Sequence, residues 1–301
     1  MSTKKQHITR VPESQIPLQE AGMLGKVILA AAGPGDPELI TVKTARYLQK
    51  ADVVLTDRLV SEDILEEHVN ADAEIVYVGK QCRRGVSTPQ ATINELIVQY
   101  ALEGKLVVRL KGGDVSIFSN ILDELEVIVA NNIPYEIVPG VTAALGAAAY
   151  AGIPLTARGY STAVRLLTSY KSDVVTNEYW RELAETDDTL VFYMSSETLD
   201  DVVEKLIGNY ISADKLLAVV EQATTPLQKV HICSLYEYHN ELKTKKFISP
   251  SLVIIGKVVA LHEQFSWKQN SNSSEYYFKP VASHFTTINN SNKVTINAGR
   301  F

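Results

Sequence analysis

Short apolar segments alternate with segments of helical periodicity between about residues 24 and 263. The alternation begins with the run KVILAAA at 26–32, a Gly-Pro loop and a helical pattern at 37–50. Further strands are predicted at 53–56, 74–79, 106–110 and 135–139, and a further helix at 89–102. A strand and helix order of this kind predicts an α/β fold whose first part is an open, largely parallel sheet.

A second series of apolar segments follows a run of small residues at 142–152. Strands are predicted at 162–169, 189–194, 216–220, 229–233 and 251–256, and helices at 177–185, 197–208 and 234–243. The segment GIPLTARG at 152–159 interrupts the periodicity and predicts a boundary between two lobes, 24–152 and 153–263. Each lobe is then an open sheet flanked by helices, and the cleft between them is the expected ligand site.

The two ends of the chain, 1–23 and 264–301, are polar, and the second is rich in Asn and Ser. Such composition predicts disordered extensions without a catalytic role. The alternative for the C-terminal tail is a docking segment anchored by Phe278 and Phe285.

Composition excludes several classes of protein. The formal net charge of −6 gives no basic field for nucleic acid, so an anionic small molecule would need a local basic patch. Cys82 and Cys233 are far apart and lack neighbouring ligands, which predicts neither a disulfide nor a bound metal. The polar N-terminus contains no signal-peptide core, and no apolar stretch reaches membrane-spanning length. We therefore expect a soluble cytoplasmic protein.

Two glycine loops follow predicted strands. In AGPGDP at 32–37, Gly33 and Gly35 permit close approach of a ligand to the backbone, but the spacing fits neither a dinucleotide nor a nucleoside-triphosphate loop. Taken alone, this loop is equally consistent with a tight turn. In KGGD at 111–114, Asp114 could accept hydrogen bonds from a ligand, and open α/β sheets bind ligands at this end of their strands.

Several motifs occur in the order found in the S-adenosylmethionine-dependent tetrapyrrole methylase family, which residues 24–262 resemble. They are AGPGDPELIT, DRLV (57–60), YVGK (77–80), PQATIN (89–94), RLKGGD (109–114), VPGVTAA (138–144), AGIPLTARG (151–159) and SPSLVIIG (249–256). DRLV, YVGK and PQATIN resemble the uroporphyrinogen-III C-methyltransferases in particular. The resemblance implies a two-lobed fold with S-adenosylmethionine between the lobes, and a homodimer. It implies cofactor contacts near Pro34, Gly112, Gly113, Asp114, Ile117, Thr142, Ala143, Met194 and Ala223.

The implied reaction methylates two ring carbons of uroporphyrinogen III, which gives precorrin-2 and S-adenosylhomocysteine on the route to sirohaem or cobalamin. By resemblance, Asp57 is the proton acceptor and Lys80 the proton donor. From the residues alone, Asp57 could equally pair with Arg58 at the surface, and Lys80 could simply be solvated. Because this substrate carries many carboxylates, basic residues are expected at the cleft, and the candidates are Arg58, Lys80, Arg83, Arg84, Lys111 and Arg158.

Four motifs depart from the family pattern, and one of them is the first glycine loop, which has Ala31 where glycine or serine is usual. The usual GGDPFIFGRGGEE is here GGDVSIFSNILDELE, the usual HRG is ARG with Ala157, and the usual TGH is TSY at 168–170. The main hypothesis is an active methyltransferase with a modified tetrapyrrole pocket. The alternatives are a binding homologue with little catalysis, and a methyltransferase for another acceptor such as a later corrin intermediate.

Overall fold

The computed structural model describes residues 24–81, 86–168, 176–195, 197–278 and 287–288. Its strands are β1 (Lys26–Ala31), β2 (Val53–Thr56), β3 (Glu74–Tyr77), β4 (Lys80–Gln81), β5 (Val86–Ser87), β6 (Leu106–Lys111), β7 (Tyr135–Val138), β8 (Val164–Thr168), β9 (Thr189–Tyr193), β10 (Leu216–Glu221), β11 (Lys229–Ser234), β12 (Ser251–Gly256) and β13 (Thr287–Ile288). Its α-helices are α1 (Val42–Leu48), α2 (Glu62–His68), α3 (Gln90–Leu102), α4 (Leu122–Ala130), α5 (Ala143–Tyr150), α6 (Asn177–Glu185), α7 (Leu199–Gly208), α8 (Tyr238–Glu241) and α9 (His262–Phe265).

The first sheet has the order β13-β3-β2-β6-β1-β7, and β1, β2, β3, β6 and β7 run parallel, as the apolar runs predict. Nearly every residue of β1, β2 and β6 is buried, because helices cover both faces of the sheet. Parallel strands bring their carboxyl ends to one edge. The loops that follow β1, β2, β3, β6 and β7 therefore begin side by side.

The second sheet has the order β11-β10-β12-β9-β8. Only β8 and β9 run parallel, whereas β12 is antiparallel to β9 and to β10, and β11 is antiparallel to β10. The connection from β10 to β11 is short enough for a hairpin, which accounts for their antiparallel pairing. The carboxyl ends of β9 and β10 lie at the same edge of this sheet.

Helix α5 belongs by its packing to the second lobe, although the sequence assigned it to the end of the first. Ala144, Ala147, Ala148 and Ala151 lie in one buried cluster with side chains of β9, β10 and β12. The small side chains allow the helix backbone to approach the sheet closely. The packing boundary therefore lies before Ala143 rather than near residue 152.

The observed helices differ from the predicted ones both at their ends and in number. The predicted helix at 37–50 is divided into a 3-10 turn, Pro37–Leu39, and α1, because Thr41 caps α1 through its side chain. Helices α2 and α4 are short and were not predicted. Among the residues described, none of the helices has the length and apolar character needed to cross a bilayer.

The first part of the C-terminal tail is packed against the body of the protein, which corrects the prediction of disorder from residue 264. The Trp267 indole donates to the Ala149 carbonyl at 2.9 Å, and Asn270 exchanges two hydrogen bonds with the backbone of Val230. Tyr277 donates to Asp63 at 2.5 Å. These contacts could not be predicted from the polar composition, because composition does not show which groups a polar side chain will bond.

Phe278 is the anchor of this tail segment. Its side chain is only 3% exposed and lies against the first glycine loop, where its Cζ is 3.2 Å from the position that a Cβ on Gly35 would take. The docking alternative named Phe278 and Phe285, and Phe285 lies outside the described residues. The tail therefore supports the outer side of the 32–37 loop.

We predict that Phe278→Ala lowers the free energy of unfolding by about 3 kcal/mol, because it removes a buried aromatic ring and leaves a cavity. Urea unfolding followed by circular dichroism measures the change. Phe265→Ala is the matched control, since Phe265 lies earlier in the same region and is 51% exposed. Equal effects of the two substitutions would contradict the anchoring role.

Candidate active site

The two predicted glycine loops are joined to each other at the carboxyl edge of the first sheet. Gly33 donates to the Gly113 carbonyl at 3.1 Å and Gly113 donates back to the Gly33 carbonyl at 2.7 Å. Both residues have positive φ angles, +77° and +69°, which glycine adopts without strain. A Cβ on Gly113 would meet only the Ala143 nitrogen, at 3.7 Å, so this face of the loop is open to a ligand.

Asp114 holds the second glycine loop in place. Its carboxylate accepts hydrogen bonds from the Ser116 and Gly140 backbone amides, both at 2.8 Å. Burial opposes ionisation, but the bonds from Ser116 and Gly140 prevail and lower the pKa of Asp114. Ile117, three residues further on, packs against the core of the second lobe. The loop therefore connects the two lobes.

A tyrosine at the end of β9 completes the connection from the second lobe. Tyr193 and Thr142 share a hydrogen bond of 2.7 Å, and the Ala144 amide donates to the Tyr193 hydroxyl at 3.1 Å. The next residue, Met194, is 54% exposed and has a φ of +54°, which is unusual for a residue with a side chain. Phe118 lies 4.9 Å from the Tyr193 ring, centroid to centroid. Tyr193 thus connects the start of α5 to the exposed Met194.

The loop after β10 also contacts the first glycine loop. The Asp36 amide donates to the Thr224 hydroxyl at 3.0 Å. A Cβ on Gly146 would lie 2.6 Å from Pro34 Cγ and 3.0 Å from Thr224 Cγ2, so this glycine allows α5 to meet both loops. Ala223 precedes Thr224 and packs partly into the core of the second lobe. Eight of the nine residues implied to hold the cofactor therefore lie on loops that follow strands of the two sheets, and the ninth, Ala143, begins α5.

Asp57 begins the loop after β2, beside the second glycine loop. Its amide donates to the Leu110 carbonyl at 3.1 Å, and the Leu59 carbonyl oxygen is 2.6 Å from where a Cβ on Gly112 would lie. Arg109 donates to Asp57 Oδ1 at 2.6 Å, and the Asp57 side chain is 27% exposed. The structure pairs Asp57 with the buried Arg109, a partner that was not predicted from the sequence.

The residues predicted to bind substrate fall into three groups. Arg58 is partly buried, and its backbone packs against Gly79, which brings the loops after β2 and β3 together. Arg158 is exposed in the turn closed by Ala157 and Ser161. Lys111 is 4% exposed and bound to Glu124, so it has no free ammonium group at the surface. Arg83 and Arg84 lie outside the described residues. The backbone of Lys80 begins β4, but its side chain is not among those described.

Four residues with evident roles in this arrangement were missed from the sequence: Arg109, Glu124, Tyr193 and Thr224. Arg109 carries a signal, because a charge inside the apolar run LVVRL is costly to bury unless it is paired. Tyr193 ends an apolar strand and must likewise satisfy its hydroxyl. Glu124 and Thr224 have no such signal, since their partners are distant in sequence.

The chain is similar to known proteins in both sequence and structure. Residues 26–238 match the family model Tetrapyrrole (Corrin/Porphyrin) Methylases. Siroheme synthase of Vesicomyosocius okutanii is 45% identical over 244 residues, which cover 81% of this chain and 52% of that protein. The uroporphyrin-III-C-methyltransferase structure from Thermus thermophilus has a TM-score of 0.67 at 32% identity and covers 81% of this chain and 98% of that one. The Thermus thermophilus enzyme complexed with S-adenyl homocysteine has a TM-score of 0.65 at 33% identity, with 79% and 100% coverage.

These likenesses confirm the predicted α/β fold and the resemblance on which the motif assignments depend. The chain spans about half the length of the curated relatives it matches. It spans nearly the whole length of the solved methyltransferase structures. The roles of the individual site residues stay predictions.

Proposed function

The chain belongs to the tetrapyrrole (corrin/porphyrin) methylase family, and from this we propose that it methylates uroporphyrinogen III at two ring carbons with S-adenosylmethionine, giving precorrin-2. One observation carries the proposal. The loops with the motif residues of both lobes contact one another around an open glycine face, and Asp57 lies at the same edge. The solved structures similar to this chain include a uroporphyrin-III-C-methyltransferase, which supports the choice of substrate.

The residues on these loops suit S-adenosylmethionine. Gly113 leaves room for a flat ring against the backbone, and the polarizable Met194 side chain offers an exposed apolar wall. Pro34, Thr142 and Ala223 lie on the surrounding loops. We assign cofactor binding to these residues and to Gly112, Asp114, Ile117 and Ala143, and the relative bound to S-adenyl homocysteine supports that assignment.

The cofactor supplies a methyl group on a positively charged sulfur, so the protein need not activate the donor. What the chain must supply is alignment of the two reactants and a path for protons as a pyrrole carbon attacks and the ring double bonds rearrange. We assign proton acceptance to the Asp57 carboxylate, which Arg109 holds by one oxygen. We assign proton donation to Lys80, at the start of β4 in the neighbouring loop.

Substrate recognition requires cations, because uroporphyrinogen III carries many carboxylates. We assign this role to Arg58, Arg83, Arg84 and Arg158, since arginine binds carboxylates with two parallel hydrogen bonds. Lys111 contributes at most through its charge, because Glu124 already holds its ammonium group. The replacement of the usual glycine-arginine cluster by 119–122, SNIL, is expected to alter how this substrate fits.

We also propose that the protein works in the cytoplasm as a homodimer. The cytoplasmic assignment is supported by the low cysteine content, two in 301 residues, which suits a reducing compartment. The dimer is supported by β7 at one end of the first sheet, where Tyr135 and Ile137 are 44% and 43% exposed. Sedimentation of the purified protein tests the dimer, and a monomer at micromolar concentration would contradict it.

An anaerobic assay with uroporphyrinogen III and methyl-labelled S-adenosylmethionine tests the proposed reaction. We expect two labelled methyl groups in each product molecule, seen by mass spectrometry, and two molecules of S-adenosylhomocysteine released. A reference methyltransferase acting on the same substrate batch is the control. Cofactor binding without transfer, while the reference converts the substrate, would refute the assignment of this acceptor.

A further inference from the structure

We propose that Arg109 is a positioning residue for Asp57, and that Glu124 holds Arg109 in the orientation this requires. Arg109 lies within β6 and is only 2% exposed, although its neighbours Val108 and Leu110 form part of the apolar core. The proposal rests on the proposed role of Asp57 as proton acceptor. Neither Arg109 nor Glu124 is assigned a contact with substrate or cofactor, and both would act through Asp57.

The Arg109 guanidinium is fixed on four sides. Its Nε donates to Glu124 Oε1 at 2.9 Å, and its Nη1 donates to the carbonyls of Leu55 and Leu110, both at 3.2 Å. Its Nη2 donates to Asp57 Oδ1 at 2.6 Å. Because Leu55 and Leu110 belong to the adjacent strands β2 and β6, the donor that meets Asp57 is set by the sheet itself. A planar, anchored group of this kind leaves Asp57 little freedom.

Two cations, Arg109 and Lys111, and two carboxylates, Asp57 and Glu124, meet around this contact, and we call these four side chains the quartet. Glu124 comes from the first turn of α4 and also accepts from Lys111 Nζ at 3.1 Å, so Arg109 and Lys111 face Asp57 and Glu124. The side chains of Arg109, Lys111 and Glu124 are 2%, 5% and 1% exposed, whereas Asp57 is 27% exposed. Only one member of the quartet therefore reaches the solvent-facing edge where the glycine loops meet.

Stability alone does not explain this quartet. Buried ion pairs are often no better for folding than well-packed apolar side chains, because desolvation offsets the attraction. Burial lowers the pKa of Lys111, and the nearby Arg109 charge lowers it further, which reflects this cost. What the arrangement does provide is a carboxylate oxygen at a fixed place beside the second glycine loop. A general base gains rate from such alignment.

The test is a double-mutant cycle on kcat, using Arg109→Lys in the natural background and in the Asp57→Asn background. Lysine keeps the charge but lacks the planar fork, so alone it should lower kcat by about tenfold to a hundredfold, with KM for S-adenosylmethionine unchanged within about threefold. With Asn at 57, the same change should lower kcat by less than about threefold, because the group it positions is already gone.

Two further variants keep the test informative. Glu124→Gln leaves an acceptor for Arg109 but removes the charge that holds it. It should lower kcat less than Arg109→Lys does, and its effect should depend on Asp57 in the same way. This variant replaces Arg109→Lys in the test if Arg109→Lys does not fold. Arg165→Lys is the matched control, because Arg165 also binds two carboxylates, Glu182 and Asp188, but in the second lobe. It should leave kcat unchanged.

The outcomes separate this inference from the proposed function. The inference would be overturned if the two substitutions lowered kcat independently, so that their effects multiplied, or if cofactor binding were lost as well. The quartet would then have a purely structural role, and the proposed function would stand. An Asp57→Asn variant with full activity would refute both the acceptor role and its positioning. No methyl transfer by the natural protein would instead refute the proposed reaction at its first step.

Discussion

Asp57→Asn is expected to lower kcat for methyl transfer by about 10²- to 10⁴-fold, the contribution typical of a positioned general base. Asparagine has nearly the same shape, and its amide oxygen can still accept the hydrogen bond from Arg109 at the place of Oδ1. The loop after β2 should therefore keep its position against Gly112. What is lost is the capacity to take up a proton, so substrate and cofactor should still bind.

Single-turnover methyl transfer under anaerobic conditions measures this loss, and calorimetric titration with S-adenosylhomocysteine checks that the cofactor site is intact. Asp72→Asn is the matched control, because Asp72 is an exposed residue in the turn before β3. Retention of more than about a third of the natural rate would assign proton acceptance to another group or to solvent.

Asp114→Ala is expected to weaken S-adenosylmethionine binding by about tenfold to a hundredfold, since hydrogen bonds to a charged group contribute about 1.5–3 kcal/mol. The change leaves the Gly140 amide without its acceptor and releases the turn that Ser116 closes. The glycine loop would then lose its fixed distance from the loop after β7. Calorimetry gives the dissociation constant, and Asp201→Ala, at an exposed position in α7, is the control.

The same carboxylate predicts how binding depends on pH. Hydrogen bonds from Ser116 and Gly140 lower the pKa of Asp114 against the opposing effect of burial, so the group stays ionised below its ordinary value of 3.8. A carboxylate with a lowered pKa stabilises the loop above its ordinary pKa, and this contribution is lost only as the pH falls through the lowered value. Asp114 should therefore cause no change in affinity between pH 5 and 8. The assignment would be contradicted if the affinity of the natural protein fell by half or more across this range and the Asp114→Asn variant showed no such fall.

The apolar pattern was sufficient for most of the strands but less so for the helices. The predicted strands at 53–56 and 251–256 have the observed bounds, because a buried strand is a short apolar run between turn residues. Helices α2 and α4 were missed, since each presents only a few core residues to the sheet. The antiparallel orientation of β11 and β12 could not be predicted either, because apolar periodicity does not distinguish parallel from antiparallel neighbours.

The candidate site was predictable to the extent that it is local in sequence. The loops at 32–37 and 111–114 stand out because glycines follow apolar strands, and the motif order of the family located Asp57, Thr142 and Met194. The contacts that join them were not predictable, since the Gly33 and Gly113 amides pair across 80 residues of chain. The tail from residue 264 shows the same difficulty, because polar residues report no partners.

The two-lobed α/β class, most of the strands, the glycine loops and the family could be predicted from the amino-acid sequence alone. These follow from short-range periodicity and from residues whose backbone or side-chain chemistry is restricted. Three features emerge only from the folded chain: the buried Arg109, Glu124 and Lys111 meet the partly exposed Asp57, α5 packs in the second lobe, and Phe278 supports the first glycine loop. The reason is physical: the energy of a buried charge or ring depends on partners that folding brings from distant parts of the chain.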